Sequence, residues 1–499
     1  MNVGVATRRG RVGVIGAGVA GLATAKVLGQ VGFDVVVFDK SPDVGGVWSR
    51  TRRYPGLITQ NPKEQYAFTD FPMPAEFPEW PSGEQVQSYL AAYAEAFSLP
   101  VRLNTEVTAV YPSGDGWVVE AGGVERFDQV VVCNGVLSEP TVPAYPGLDE
   151  FTAAGGELCA GTEFHDVDRA RGRHVLVVGY GKTACDVTVP ISEVAASTTV
   201  IARHLVWKMP RWVGGRVNFK KLMLTRMGEA LFRYPRPWLV ERFLHGPANR
   251  QRRRMLNNIG DVSVRQFRLD ELGLVPPGRM EDIIRGATGL ASEGFFEGVA
   301  DGSIVVRRER TITRLLADGN GPAAQLSDGT ILPAELIVCA TGFRRSVPFL
   351  TDAVRERLLD ARGNFLLYRH IRPVDVPGLY FNGYNSSFFC TLNSEMAAVW
   401  IAADLAGAVP LPEPAAMRRA VADQLSFLDE TLGDEHRQGT KIIPFSLHNV
   451  DELLNEIRLN IPARVRATHW FAPVNPADYR HVTPNLVRLL TGGRAAARG

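Results

Sequence analysis

The 499-residue chain is poor in cysteine, and its five cysteines (Cys133, Cys159, Cys185, Cys339 and Cys390) stand at least 26 residues apart. The absence of C-x-x-C excludes a local zinc knuckle and a dithiol redox pair, and an odd count argues against a disulfide framework. The nine histidines form no H-x-x-x-H pair, and there is no G-x-S-x-G turn. Neither a helical zinc site nor a serine nucleophile elbow is therefore expected, and no metal site is assigned. An excess of charge is also missing: 55 basic residues against 53 acidic ones leave +2, too little for a general attraction to nucleic acid. No apolar run reaches the roughly 18 residues a membrane span needs, since AAVWIAADLAGAVPLP is cut by Asp404 and by prolines. The start, MNVGVATRRGRVGVIG, lacks the apolar core and small-residue cleavage site of a secretory signal, so a soluble, cytoplasmic protein is expected.

What is present is an ordinary globular balance, 45% hydrophobic and 22% charged, in a chain long enough for two or three domains. Arg11 to Ile15 (RVGVI) has the composition of a buried parallel strand, and Gly16-x-Gly18-x-x-Gly21 follows at once. LATAKVLGQVG then predicts a helix and FDVVVF a second strand, ending at Asp39. This strand, glycine turn, helix, strand and acid make a complete dinucleotide fingerprint. Gly16 permits the tight turn, Gly18 lets backbone approach a pyrophosphate, Gly21 lets helix and sheet pack, and Asp39 can accept from a ribose diol. Gly45-Gly46-Val47-Trp48 follows, where glycine again allows close approach and Trp48 can flank a ring system. This extension is similar to the FAD-binding start of flavoproteins that hold two dinucleotides.

Residues 175 to 186, VLVVGYGKTACD, repeat the layout with Gly179-x-Gly181-x-x-Ala184, and a strand STTVIA closes the unit. The position equivalent to Asp39 is Ala202, followed by Arg203 and His204. A carboxylate there would repel a 2′-phosphate, whereas arginine can bind one; the second site is predicted to take NADPH, with Lys208 able to share or replace Arg203. Two further strand-like runs end in small-residue turns, FDQVVVCNG at 127 to 135 and ELIVCATGF at 335 to 343. Lying either side of the second fingerprint, they imply an α/β fold of two Rossmann-like domains, with the NADPH domain inserted in the FAD domain. The expected boundaries are 1–155 for the first part of the FAD domain, 156–330 for the NADPH domain with an insert at about 205–255, and 331–499 for the rest.

With these elements in place, the chain resembles the flavin-containing monooxygenases, class B enzymes related to the Baeyer-Villiger monooxygenases. The resemblance is carried by GAGVAG, the acid with GGVW, TQNPKEQYAFTDFPMP at 59 to 74, VVGYGKTACD, CATGF, and SEMAAVW at 394 to 400. It implies an NADPH- and O2-dependent FAD monooxygenase that oxygenates a nitrogen or sulfur centre, as in dimethylaniline N-oxidation, through a C4a-hydroperoxyflavin. Pattern and resemblance together assign FAD contacts to Gly16, Gly18, Gly21, Asp39, Gly46 and Trp48, and NADPH contacts to Gly179, Gly181, Thr183 and Arg203. Thr341 is assigned to the cofactor from the closing turn.

Members usually carry Asn three residues before the lysine of the 59 to 74 segment. Here Gln60 holds that position and Asn61 is next to it, so both amides are assigned as catalytic. The family's F-x-G-x-x-x-H signature is not intact: one register puts Ala160 in the histidine's place, the other pairs Gly161 with His165 but has Cys159 and Arg169 at the aromatic positions. Two alternatives therefore stay open, a Baeyer-Villiger enzyme with Arg52 or Arg53 as its cation, and a flavoprotein NADPH oxidase or reductase. The expected partners are a small organic substrate and O2, with no nucleic acid and no membrane span. A homodimer and a peripheral membrane contact are left open. The insert interleaves Trp207, Trp212, Phe219, Phe232 and Trp238 with Lys220, Lys221, Arg250 and Arg252 to Arg254. It reads as a helical segment with a solvated basic face, or as a substrate mouth or membrane-surface contact.

Overall fold

The computed structural model describes residues 9–285, 289–319 and 321–491. In chain order its principal elements are β1 (Arg11–Ile15), α1 (Val19–Val31), β2 (Asp34–Phe38), β3 (Val101–Arg102), β4 (Gln129–Val132), β5 (Glu157–Ala160), β6 (His174–Val178), α2 (Lys182–Ser192), β7 (Ser197–Ala202) and β8 (Lys208–Met209). There follow α3 (Leu239–His245), α4 (Asn249–Gln266), β9 (Gly289–Leu290), β10 (Val305–Arg308), β11 (Leu336–Cys339), β12 (Leu379–Phe381), α5 (Cys390–Leu405) and α6 (Ser446–Glu456), with shorter pieces between them.

The valine-rich strands are apolar on both faces because both faces are covered, as in parallel sheets; Val12, Val14 and Val37 are wholly buried. One sheet runs β12-β4-β1-β2-β3 and the other β10-β7-β6-β11-β5, every neighbouring pair parallel. In each sheet the fingerprint strand, β1 or β6, has the next sheet strand of the chain on one side and a much later one on the other. That is a topological switch point, the crevice where open α/β sheets bind their ligands.

The chain leaves the first sheet after β4 and re-enters it at β12, and the second sheet is built in between. The boundary expected at 330 is corrected by the pairing. β11, placed on the returning side, lies beside β6 with Leu336 next to Val175 and Cys339 next to Val178, and β5 flanks it on the other side. An apolar strand carries no mark of which sheet it joins; register with β6 decides it. The return crossing follows Cys339, where Phe343 and Arg344 pair antiparallel with Pro140 and Glu139 of the outgoing chain.

α5 is buried on every side from Thr391 to Ala403, its polar Asn393, Ser394 and Glu395 included, and packs on α1. A helix so enclosed lies in a core. The 205–255 insert is a packed layer rather than a free basic helix: Trp207, Phe219 and Phe232 are buried, whereas Trp212 stays exposed. On α4, Arg250, Arg253 and Arg254 face outward, but Arg252 is buried, donating to the Leu231 carbonyl at 2.7 Å and pairing with Glu281 at 2.8 Å.

Candidate functional site

At the end of β1 the chain turns through Gly16 into α1. A Cβ on Gly16 would lie 2.5 Å from the Cys133 carbonyl oxygen, so only glycine lets β1 and β4 part at this point. Gly18 and Gly46 back onto each other: a Cβ on Gly18 would be 3.4 Å from Gly46 Cα, and one on Gly46 would be 3.1 Å from Gly18 Cα. Two bare backbones thus face one another at the N-terminus of α1, which has no side-chain cap. The uncapped amides leave an anion-binding position.

The Asp39 carboxylate accepts the Ala17 N–H at 2.6 Å and the Ser41 N–H at 2.8 Å. It therefore ties the second strand to the glycine turn. A carboxylate has about four acceptor positions, and two remain for a diol. Burial holds the Arg52 guanidinium below its usual range, an effect that Asp39 opposes, and Arg52 donates to the Leu137 carbonyl. Trp48, expected to flank a ring system, lies in a short turn after the two glycines. It is 6% exposed, its Nε1 donates to the Tyr66 hydroxyl at 2.8 Å, and the two rings meet edge to face. The preceding glycines bend the chain so that Trp48 packs inward.

Gln60 and Asn61 lie in a bend of the loop and reach different elements. Asn61 is buried and its Nδ2 donates to the Phe388 carbonyl just ahead of α5. Gln60 Oε1 accepts the Leu290 N–H on β9 at 3.2 Å. One amide is held by the first nucleotide unit and the other by the second. The same loop carries Tyr54, whose hydroxyl is 3.4 Å from Asp186 on α2, and burial pushes its ionisation far up. Arg53 adds its carbonyl, 3.0 Å from His165 Nδ1. Residues 53 to 61 thus form the seam between the units.

In the second turn a Cβ on Gly179 would lie 2.5 Å from the Ala340 carbonyl oxygen, which repeats the relation of Gly16 to Cys133. Gly181 precedes α2, which again has no side-chain cap, and Thr183 lies beside Gly161. Arg203 and His204 are exposed past β7, and Arg203 makes no ion pair among the described residues. Lys208 cannot share that role: it is buried, donates to the Tyr180 carbonyl at 2.8 Å, and lies 4.7 Å from the Tyr180 ring centre. Thr341 Oγ1 donates to the Thr141 carbonyl, so it joins the two crossings.

Sequence reasoning passed over a polar cluster on α2. Asp186 is buried and accepts from Lys182 and from Ser292 Oγ, the latter at 2.5 Å. The Lys-to-Asp spacing of four was the available signal, but Ser292 and Tyr54 were beyond it. Glu395 is fully buried and accepts the Thr69 N–H at 2.9 Å and Thr69 Oγ1 at 2.8 Å, with Lys26 at 3.5 Å. It anchors the 59 to 74 loop to α5. The cysteines are all free, and burial pushes the thiols of Cys133 and Cys339 up to about 12. Among the described residues no group of three or more His, Cys, Asp or Glu could hold a metal ion, and no helix is long and apolar enough to cross a membrane.

Comparison with known proteins agrees with this geometry. Residues 9–257 match the family model described as flavin-binding monooxygenase-like. The chain is 26% identical to the Flavin-containing monooxygenase 2 of Homo sapiens, over 95% of this chain and 89% of that protein. In fold it is similar to the S-allyl-L-cysteine S-oxygenase from Allium sativum, with TM-score 0.63, 20% identity, and 97% of each chain covered. It is also similar to OTEMO in its complex with FAD and NADP, with TM-score 0.66, 20% identity, and 89% of this chain and 97% of that one covered.

Proposed function

We propose that this chain, which belongs to the flavin-binding monooxygenase-like family and is a monooxygenase, uses FAD, NADPH and O2 to oxygenate a nitrogen or sulfur centre of a small organic molecule. The observation that carries this reading is the seam at residues 53 to 61. Gln60 accepts from Leu290 of the second unit and Asn61 donates to Phe388 of the first, and the strands that follow the two glycine turns end in opposite charge, Asp39 in one and Arg203 in the other.

The residues present fit two dinucleotides. The close backbone contact of Gly18 with Gly46 leaves no side chain over the turn, the uncapped α1 amides offer donors to a pyrophosphate, and Asp39 keeps acceptor positions for a ribose. In the second unit the uncapped start of α2 and the unpaired Arg203 suit a nucleotide with a 2′-phosphate. FAD, when bound, supplies the redox and oxygen-transfer chemistry. The chain's own residues orient and dry the site. Asn61, 3% exposed, is fixed by the Phe388 carbonyl, and Gln60 holds β9 against the seam.

The test is product identification with a thioether, a tertiary amine and a cyclic ketone under NADPH and air. Sulfoxide or N-oxide formed in step with NADPH oxidation is the expected result. Lactone alone would replace this reading with Baeyer-Villiger chemistry, and hydrogen peroxide matching all NADPH consumed would replace it with an oxidase.

A further inference from the structure

Glu395 is a buried carboxylate that the nucleotide turns leave without a role. Burial alone would favour leucine or methionine at its position in SEMAAVW, since Leu392, Met396 and Val399 around it on α5 are wholly buried. Burial pushes its ionisation up, and Lys26 opposes that push. A buried carboxylate is a cost unless its oxygens are satisfied. Here both are, because Thr69 donates its N–H to Oε2 at 2.9 Å and its hydroxyl to Oε1 at 2.8 Å. Both donors belong to one residue, so the carboxylate grips the chain at a single point.

This grip is the last of three rungs between α5 and the segment from Asn61 to Thr69. Asn61 Nδ2 donates to the Phe388 carbonyl just ahead of α5, and Thr391 Oγ1 donates to the Tyr66 carbonyl at 3.0 Å. Thr391 and Glu395 stand four residues apart and therefore share one face of the helix. The segment between the rungs is stiff. Lys63–Tyr66 is a helical turn, and Lys63 Nζ donates to the carbonyls of Pro74, Ala75 and Phe77 at 3.2, 2.7 and 2.6 Å. A shift at Thr69 is therefore passed on to Asn61.

Lys26 ties the same point to α1, the helix that leaves the first glycine turn. It is 2% exposed, pairs with Asp70 at 2.5 Å and with Glu395 at 3.5 Å, and lies 4.7 Å from the Phe97 ring centre. One buried junction thus refers the segment both to α5 and to the turn at Gly16 and Gly18. An apolar residue at 395 would bury as much surface but would leave both Thr69 donors without this acceptor.

We propose that Glu395 is a positioning residue for oxygen transfer: it sets the Asn61 amide relative to the first glycine turn and so keeps NADPH oxidation coupled to product. The proposal rests on the reading of the chain as an FAD monooxygenase with Asn61 at its flavin. With the amide out of place, NADPH, a proton and O2 yield NADP+ and hydrogen peroxide, and no oxygen reaches the substrate.

The experiment compares Glu395→Leu, which removes both acceptors, with Glu395→Gln, which keeps an acceptor for the Thr69 N–H and offers the hydroxyl a donor. The FAD-loaded enzymes receive NADPH, air and whichever of thioanisole, dimethylaniline and cyclohexanone the parent oxygenates. Glu395→Leu is expected to release about tenfold more hydrogen peroxide per NADPH, the worth of roughly one net hydrogen bond, with FAD content and KM for NADPH unchanged. Glu395→Gln should keep the parent's peroxide yield. Deuterium exchange across residues 59 to 74, read with and without FAD and with no substrate, should rise in the leucine variant and stay at the parent's level in the glutamine one. A carboxylate that only holds the fold together would lower the melting temperature of Glu395→Leu and leave the peroxide yield alone. That result would overturn the proposal, as would a glutamine variant as uncoupled as the leucine one. If Glu395→Leu does not fold, Thr69→Val and Thr391→Val each remove one hydrogen bond of a rung, and an unchanged peroxide yield in both would overturn it equally. If the parent itself turns all its NADPH into hydrogen peroxide, the monooxygenase reading fails and the oxygenation role with it, and the exchange result separately keeps or removes the clamp.

Discussion

The Arg226 guanidinium meets the Asp451 carboxylate in two hydrogen bonds, 2.7 and 2.9 Å long, between residues 225 positions apart. The arginine is 1% exposed and the aspartate 7%. This fork fastens the insert to α6, and nearby His448 of α6 lies between Glu229 and Glu241 at 2.6 and 2.9 Å with its ring stacked on Trp238. Arg226→Met is expected to cost about 3 to 5 kcal/mol, because it strands a buried carboxylate. Denaturant melts of Arg226→Met and of Arg226→Met with Asp451→Leu check this. The double variant should recover much of the loss, and equal destabilisation of the two would contradict the assignment.

Two of the buried histidines, His448 and His370, give stability opposite slopes with pH. His448 is held up at about 9 by hydrogen bonds to Glu229 and Glu241 that outweigh its burial. Its ordinary value is 6.5, so its contribution is full below pH 6.5 and is lost as pH rises through 9. The melting-temperature gap between the parent and His448→Gln should therefore narrow from pH 7 to pH 10.

His370 is pushed down to about 4, chiefly by burial. The unfolded chain takes up that proton first, so folding loses stability as pH falls from 6.5 toward 4. His370→Gln should flatten this acid-side decline in a melting series between pH 7 and pH 4.5.

Arg203→Glu is expected to raise KM for NADPH by about tenfold or more while KM for NADH changes little, since only NADPH carries the 2′-phosphate. Arg203 is exposed and without an ion pair among the described residues, so folding should be untouched. Equal effects on both nucleotides would remove the 2′-phosphate role.

Gly18→Ala leaves its Cβ 3.4 Å from Gly46 Cα, an ordinary contact, and should keep part of the FAD. Gly18→Val drives the two backbones apart and should yield colourless protein. Absorbance of the purified variants at the flavin bands decides this, and a fully yellow valine variant would contradict the assignment of Gly18 to FAD.

Both fingerprints and the opposite charge at their ends were legible from residues 11 to 39 and 174 to 203, and the insertion of one unit in the other from the strand-like runs at 127 to 135 and 335 to 343. Glycine turns and buried parallel strands are specified by local sterics and by apolar runs, and these are written in consecutive residues. The errors came where partners are distant. ELIV at 335 to 338 could have joined either sheet until its register with β6 was seen. That Trp48 Nε1 meets the Tyr66 hydroxyl was likewise beyond the sequence. Lys208 stood near Arg203 in sequence but was drawn inward to the Tyr180 carbonyl.

By itself, then, the sequence determined the two glycine turns and the charge beside each, because those depend on backbone freedom and charge at fixed short spacing. Only the tertiary structure decided which amide faces which unit, where the chain re-crosses, and that Lys26, Thr69 and Glu395 share one buried place. Burial and pairing are properties of residues brought together from far along the chain, and a buried charge has consequences only once its neighbours are known.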